Sequence, residues 1–229
     1  MKILIGGDSW GCGEWTKKDP AAGYRSSNYF ISHKGLEQYF LDDGYEVINA
    51  SKGGCSNKES IKRISENIIS DIDYIIWFQS DPLRDLYPFF DFVKKFNSYS
   101  ELVDLNNNLL DNNYNELNKI GRNIFCLGGC SKINSDLIKK YNNLTPLIYS
   151  VTEFLLPDYK HPEIWHSNWH PQIDKIKDIK ILVKLLACKR KQDALYTNKK
   201  YQNLFYPDGS HPNRYGHYKV YEYIKNYCI

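Results

Sequence analysis

Lys2-Ile3-Leu4-Ile5-Gly6-Gly7-Asp8-Ser9-Trp10-Gly11-Cys12-Gly13 is the stretch on which the fold turns. A short apolar run that ends in paired glycines reads as a buried strand, Lys2–Ile5, followed by a tight turn. Glycine there lets the backbone turn sharply and lets another molecule approach closely. Ser9 is held on that turn. A serine so placed either caps a following helix or acts as a nucleophile, and the rest of the chain decides between the two.

Outward from this strand the same rhythm repeats. Helical spacing is read over Asn28–Leu41, where Tyr29, Phe30, Leu36, Tyr39 and Phe40 recur, and it stops before Asp42-Asp43-Gly44. Glu46–Asn49 is a second strand, Asn57–Ser70 a helix, and Tyr74–Gln79 (YIIWFQ) a third strand, buried on both faces. Glu101–Ile120 reads as a long helix, Asn123–Leu127 as a fourth strand and Leu147–Val151 as a fifth. Strands alternating with helices imply a parallel sheet with helices on both faces. Such sheets bind ligands at the carboxyl ends of their strands, and Ser9, Gly54, Gln79 and Gly128 all fall at that end.

From Thr152 to Phe205 the rhythm breaks. An aromatic, histidine-rich piece, Tyr159 to Pro171, precedes a helix over Gln172–Leu195. This region is read as an insertion, or lid, within a single domain spanning residues 1–229. His166 and His170 have helical spacing, but Pro162 and Pro171 argue against one continuous helix and no companion ligand motif accompanies them, so no metal is assigned. Trp165 and Trp169 are read as packing the insertion or lining a cleft.

The composition excludes several classes. With 30 Lys and Arg against 27 Asp and Glu, the net charge is +3, too mild and too dispersed for a nucleic-acid surface. The six cysteines form no C-x-x-C pair and read as free thiols that pack. The chain shows no secretory signal pattern and no apolar stretch long enough to span a bilayer, so a cytoplasmic protein is expected. Nothing signals an oligomeric state.

The answer to Ser9 stands near the other end, in Tyr206-Pro207-Asp208-Gly209-Ser210-His211-Pro212-Asn213. At this spacing, on a turn bounded by Pro and Gly, the Asp208 carboxylate can reach one imidazole nitrogen of His211 while the other faces outward. A carboxylate in that position fixes the tautomer and stabilises the imidazolium. The pair needs a nucleophile, and Ser9 is the best candidate.

Gly7-Asp8-Ser9 near the start, with Asp208-x-x-His211-Pro-Asn near the end, resembles the SGNH (GDSL-type) hydrolase superfamily of esterases, lipases and carbohydrate O-deacetylases. The resemblance covers nearly the whole chain except the insertion. It implies a three-layer α/β/α, flavodoxin-like fold with a central parallel sheet. It also implies a serine esterase with Ser9, His211 and Asp208 as catalytic residues, acting without a cofactor on a small-molecule or glycan ester such as a carbohydrate O-acetyl group. The family's glycine after the second strand falls on Gly54, so the backbone N–H groups of Ser9 and Gly54 are the implied oxyanion donors. The family's G-x-N-D block is altered here. In Phe78-Gln79-Ser80-Asp81, Ser80 stands at the Asn position, and Gln79 carries the same amide one residue earlier. Gln79 is therefore the expected substitute donor, with Ser80 as the fallback. The alternative is a protein that keeps the fold, binds a ligand and has lost catalysis with the Asn. Gly7-Asp8-Ser9-Trp10-Gly11 also fits the G-x-S-x-G elbow, but that motif follows a mid-chain strand, and only one strand precedes Ser9.

Overall fold

A computed structural model describes residues 1–17, 29–86, 98–158, 203–205 and 211–228. Most of the region 152–205, read from the sequence as an insertion, lies outside the described residues, including the histidine-rich piece and the expected helix over Gln172–Leu195, as does Asp208.

Five strands form one parallel sheet: β1 (Lys2–Gly6), β4 (Glu46–Asn49), β5 (Tyr74–Gln79), β6 (Ile124–Gly128) and β7 (Leu144–Ile148). Their spatial order is β4-β1-β5-β6-β7. Counted within this sheet alone, that is the 2-1-3-4-5 order of flavodoxin-like folds. The chain leaves β1 toward one edge and returns to its other side, so the carboxyl end of β1 is the point where the winding reverses.

Alternate residues of each strand face opposite layers. Ile3, Ile5, Ile76, Phe78 and Leu127 point one way, into a core closed by Leu36 and Phe40 of α2 (Leu36–Asp42) and by Val220, Tyr221 and Ile224 of α7 (Arg214–Cys228). Leu4, Ile75, Trp77, Ile124 and Cys126 point the other way. They pack on Ile61 and Ile64 of α3 (Asn57–Asn67) and on Leu110, Tyr114 and Leu117 of α4 (Tyr99–Asn118). The described residues also hold three short helices, α1 (Ser9–Cys12), α5 (Ser135–Ile138) and α6 (Val151–Leu155), and a 3-10 turn at Pro82–Leu86. The result is the expected α/β/α sandwich. No helix among the described residues is long and apolar enough to cross a membrane.

Two elements differ from the sequence reading. Residues Tyr29–His33 are not the start of a helix but a strand, β3, paired antiparallel with β2 (Glu14–Lys17) in a separate two-stranded ribbon. Gly35, with φ of 56°, separates that strand from α2. The fifth strand of the sheet runs Leu144–Ile148 rather than Leu147–Val151, and Val151 begins α6. Pro146 inside it is tolerated because β7 is an edge strand, where a missing N–H breaks no second ladder.

Candidate active site

The site grows from the turn after β1. Asp8 caps α1, its Oδ1 accepting the Trp10 N–H at 3.0 Å. Ser9 is thereby the first residue of a helical turn, and its own N–H has no intrahelical acceptor. Its side chain meets the far end of the chain: His211 Nε2 lies 2.6 Å from Ser9 Oγ. Two of the three expected catalytic residues are thus in hydrogen-bond contact. The third, Asp208, lies outside the described residues.

His211 is set by the entry to α7. Asn213 Oδ1 accepts the Gly216 N–H, and the Asn213 N–H donates to the Leu204 carbonyl. The decisive anchor is Glu14, only 8% exposed. Its Oε2 accepts the Arg214 N–H at 2.6 Å, its Oε1 accepts from Arg214 Nη2 at 2.8 Å, and Ser32 Oγ donates to it at 2.8 Å. One carboxylate therefore ties the strand just after Ser9 to the helix just after His211, and it places negative charge at a helix N-terminus, where it is favoured.

Burial alone would raise the Glu14 carboxyl. The hydrogen bonds from Arg214 and Ser32 outweigh it and hold the group at about 2, against an ordinary value of 4.5. A carboxyl held lower in the folded chain than in the unfolded one adds stability above pH 4.5, and that stability is lost as the pH falls toward 2. The wild type is expected to exceed Glu14→Gln in urea stability at pH 7 by about 1–2 kcal/mol. The two should converge as the pH approaches 2, and a gap unchanged over that range would show that the ion pair is not its source.

His217, from the first turns of α7, is 2% exposed. Its imidazole is held neutral at about 4, mainly by burial. It hydrogen-bonds the Gly13 backbone, and its Nε2 meets no partner among the described residues. Its ring packs closely on Gly35, where a Cβ would stand 2.9 Å from it.

Gly54 sits on the exposed turn after β4, with φ of 74° and open space where a side chain would be. That conformation is strained for any other residue. No acceptor meets its N–H among the described residues.

Gln79 is placed otherwise than expected. It is fully buried, and its Nε2 donates to Ser131 Oγ at 2.7 Å and to the Lys132 carbonyl at 2.8 Å. Its Oε1 accepts from Tyr114 at 2.6 Å. Both amide hydrogens are used, so Gln79 has none to offer an oxyanion; it joins β5 to the loop after β6. Ser80, the fallback, is also committed. Its Oγ lies 2.8 Å from Asp8 Oδ2 and 3.1 Å from the Cys55 carbonyl, so its single hydrogen is used there, and it accepts from Arg84 Nη1 at 3.0 Å.

Arg84 belongs to the same buried cluster rather than to the surface. Its Nη1 donates to Asp8 Oδ2 at 2.9 Å, and the Cys130 thiol donates to the same oxygen at 2.9 Å. Burial works against the Arg84 charge, but the groups around it prevail and hold it protonated. Cys12 and Cys55 flank the turn as buried free thiols, pushed up to about 12 chiefly by burial. They stay protonated and unreactive at neutral pH.

Trp15 escaped the sequence reading. Its Nε1 donates to the Ser9 carbonyl at 2.8 Å, and its ring lies 6.2 Å from the His211 ring. No spacing rule points to it, because its partners are a backbone oxygen and a residue from the far end of the chain. Among the described residues no group of three or more His, Cys, Asp or Glu is placed to hold a metal ion.

No protein-family model matches the chain, and no curated protein matches it in sequence. In structure it is similar to TesA, at 15% identity over 99% of this chain and 97% of that one, with a TM-score of 0.41. It is also similar to the lipase/acylhydrolase from Enterococcus faecalis, at 14% identity over 98% and 93%, with a TM-score of 0.42. A third similar structure is the psychrotrophic esterase EstA from Pseudoalteromonas sp., at 14% identity over 99% and 97%, with a TM-score of 0.42.

Proposed function

We propose that the protein is a serine hydrolase of carboxylic esters. The observation that carries this reading is the 2.6 Å contact between Ser9 Oγ and His211 Nε2, made at the carboxyl end of β1, where the sheet reverses its winding. His211 takes the Ser9 proton as the oxygen attacks the ester carbonyl. A tetrahedral oxyanion forms, the C–O bond to the alcohol breaks, and His211 returns the proton to the departing alcohol. Water then repeats the sequence on the acyl-serine, releasing the acid. Asp208 orients His211 by holding the proton on Nδ1. The oxyanion is received by the N–H groups of Ser9 and Gly54. An O-acetyl group on a carbohydrate is one such ester.

With Gln79 and Ser80 both engaged elsewhere, no side-chain amide among the described residues is placed to complete the oxyanion hole. A missing donor costs about 10²–10³ in rate, so a slow esterase is expected. The same observation favours a second reading, a binding protein that retains the fold without turnover. A fluorophosphonate separates the two, because it phosphonylates only an activated serine. Labelling that maps to Ser9 and disappears in Ser9→Ala supports the hydrolase. A folded protein that takes up no label supports the binding protein.

A further inference from the structure

Resting on the esterase reading, we propose that Trp15 is the specificity-determining residue for the alcohol half of the substrate, and that it selects ring-shaped alcohols, a sugar or a carbocycle, over linear ones. The argument begins with His211. To protonate the leaving oxygen, its Nε2 must come within hydrogen-bond distance of that oxygen, so the alcohol is delivered beside the imidazole. Among the described residues two indoles stand there, Trp10 at 6.3 Å and Trp15 at 6.2 Å between ring centroids. Trp10 is 3% exposed and packs within the core, leaving no face for a ligand. Trp15 is only partly buried.

The Trp15 ring is fixed at both ends. Its Nε1 is tied to the Ser9 carbonyl. Its far edge lies over Gly53, so closely that a Cβ there would stand 2.8 Å from Trp15 Cη2. The indole thus spans from the backbone of the nucleophile to the glycine turn that presents the Gly54 N–H, with the general base at its side. A rigid aromatic surface in that position offers stacking area at little entropic cost. A ring covers it in one piece, whereas a linear chain loses rotamer freedom to do so. Gly53 is required by this packing, since any side chain there would collide with the indole.

The test compares cyclohexyl acetate with hexan-3-yl acetate, an acyclic ester that shares the acyl group and a secondary alkyl leaving oxygen of similar acidity. Wild type is expected to favour the cyclohexyl ester in kcat/KM by about tenfold, and Trp15→Ala to lose that preference. Trp15→Phe keeps an aromatic face but drops the bond to Ser9, so it should slow both esters while retaining most of the preference. Gly53→Ala displaces the ring without removing it and should reduce the preference with Trp15 intact, which covers the case of Trp15→Ala failing to fold. Equal kcat/KM for the two esters in wild type, with Ser9 still labelled by fluorophosphonate, overturns this proposal and leaves the esterase reading standing. Absence of labelling overturns both.

Discussion

Ser9→Ala is expected to lose p-nitrophenyl acetate hydrolysis by about 10⁴-fold or more in kcat, and His211→Ala to lose about as much. The double variant should lose no more than either single one, because the two side chains act as one unit across a 2.6 Å contact. Removing the oxygen leaves the base with nothing to deprotonate, and removing the base leaves a hydroxyl that is a poor nucleophile at neutral pH. On the proposed mechanism, what survives is the contribution of the residue 9 and Gly54 N–H groups to any attack by water. The measurement is steady-state turnover of the three variants and wild type, with circular dichroism to confirm that each is folded. Rates equal in all four would assign the observed hydrolysis to background chemistry and favour the binding protein.

The second large effect falls on stability. Asp8→Ala is expected to cost about 3–5 kcal/mol, because it strands the Arg84 cation in the interior. The Asp8 side chain is fully buried, and that of Arg84 is only 19% exposed. Three donors converge on Asp8 Oδ2, from Ser80, Arg84 and Cys130, while Oδ1 caps α1. Loss of the cap alone accounts for about 1 kcal/mol, so the remainder measures the unpaired guanidinium. A compensating Asp8→Ala/Arg84→Leu variant should recover much of the loss, since it removes both charges. Urea unfolding of wild type, Asp8→Ala and the double variant gives the numbers. A single-variant cost near 1 kcal/mol would mean that water reaches Arg84 and solvates it.

The frame of the sheet was legible where burial is extreme. Tyr74–Gln79 was read with the bounds it has, because an apolar run between polar flanks fits a strand covered on both faces. Tyr29–His33 was misread because Tyr29 and Phe30 keep helical spacing with the true α2. What makes them a strand is pairing with Glu14–Lys17, a contact that periodicity does not encode. The meeting of Ser9 with His211 was legible because each sits in a short motif with a mechanical reason. Gln79 was not. Its type and place suggested an oxyanion donor, but its hydrogen bonds go to Tyr114, Ser131 and Lys132, 35 to 53 residues away. Only the three-dimensional arrangement shows that a buried amide is already saturated. Glu14 and Arg214, 200 residues apart, were hidden for the same reason.

That separation reaches into the cell's timetable. A nascent chain emerges from the ribosome at about 5–20 residues per second, so the residues around Ser9 precede Arg214 into solution by tens of seconds. Throughout that interval Glu14 has no guanidinium, and Ser9 has no base within 2.6 Å. On the proposed mechanism, Ser9 stays a quiescent hydroxyl during synthesis and gains its base only when α7 docks and brings His211 against it.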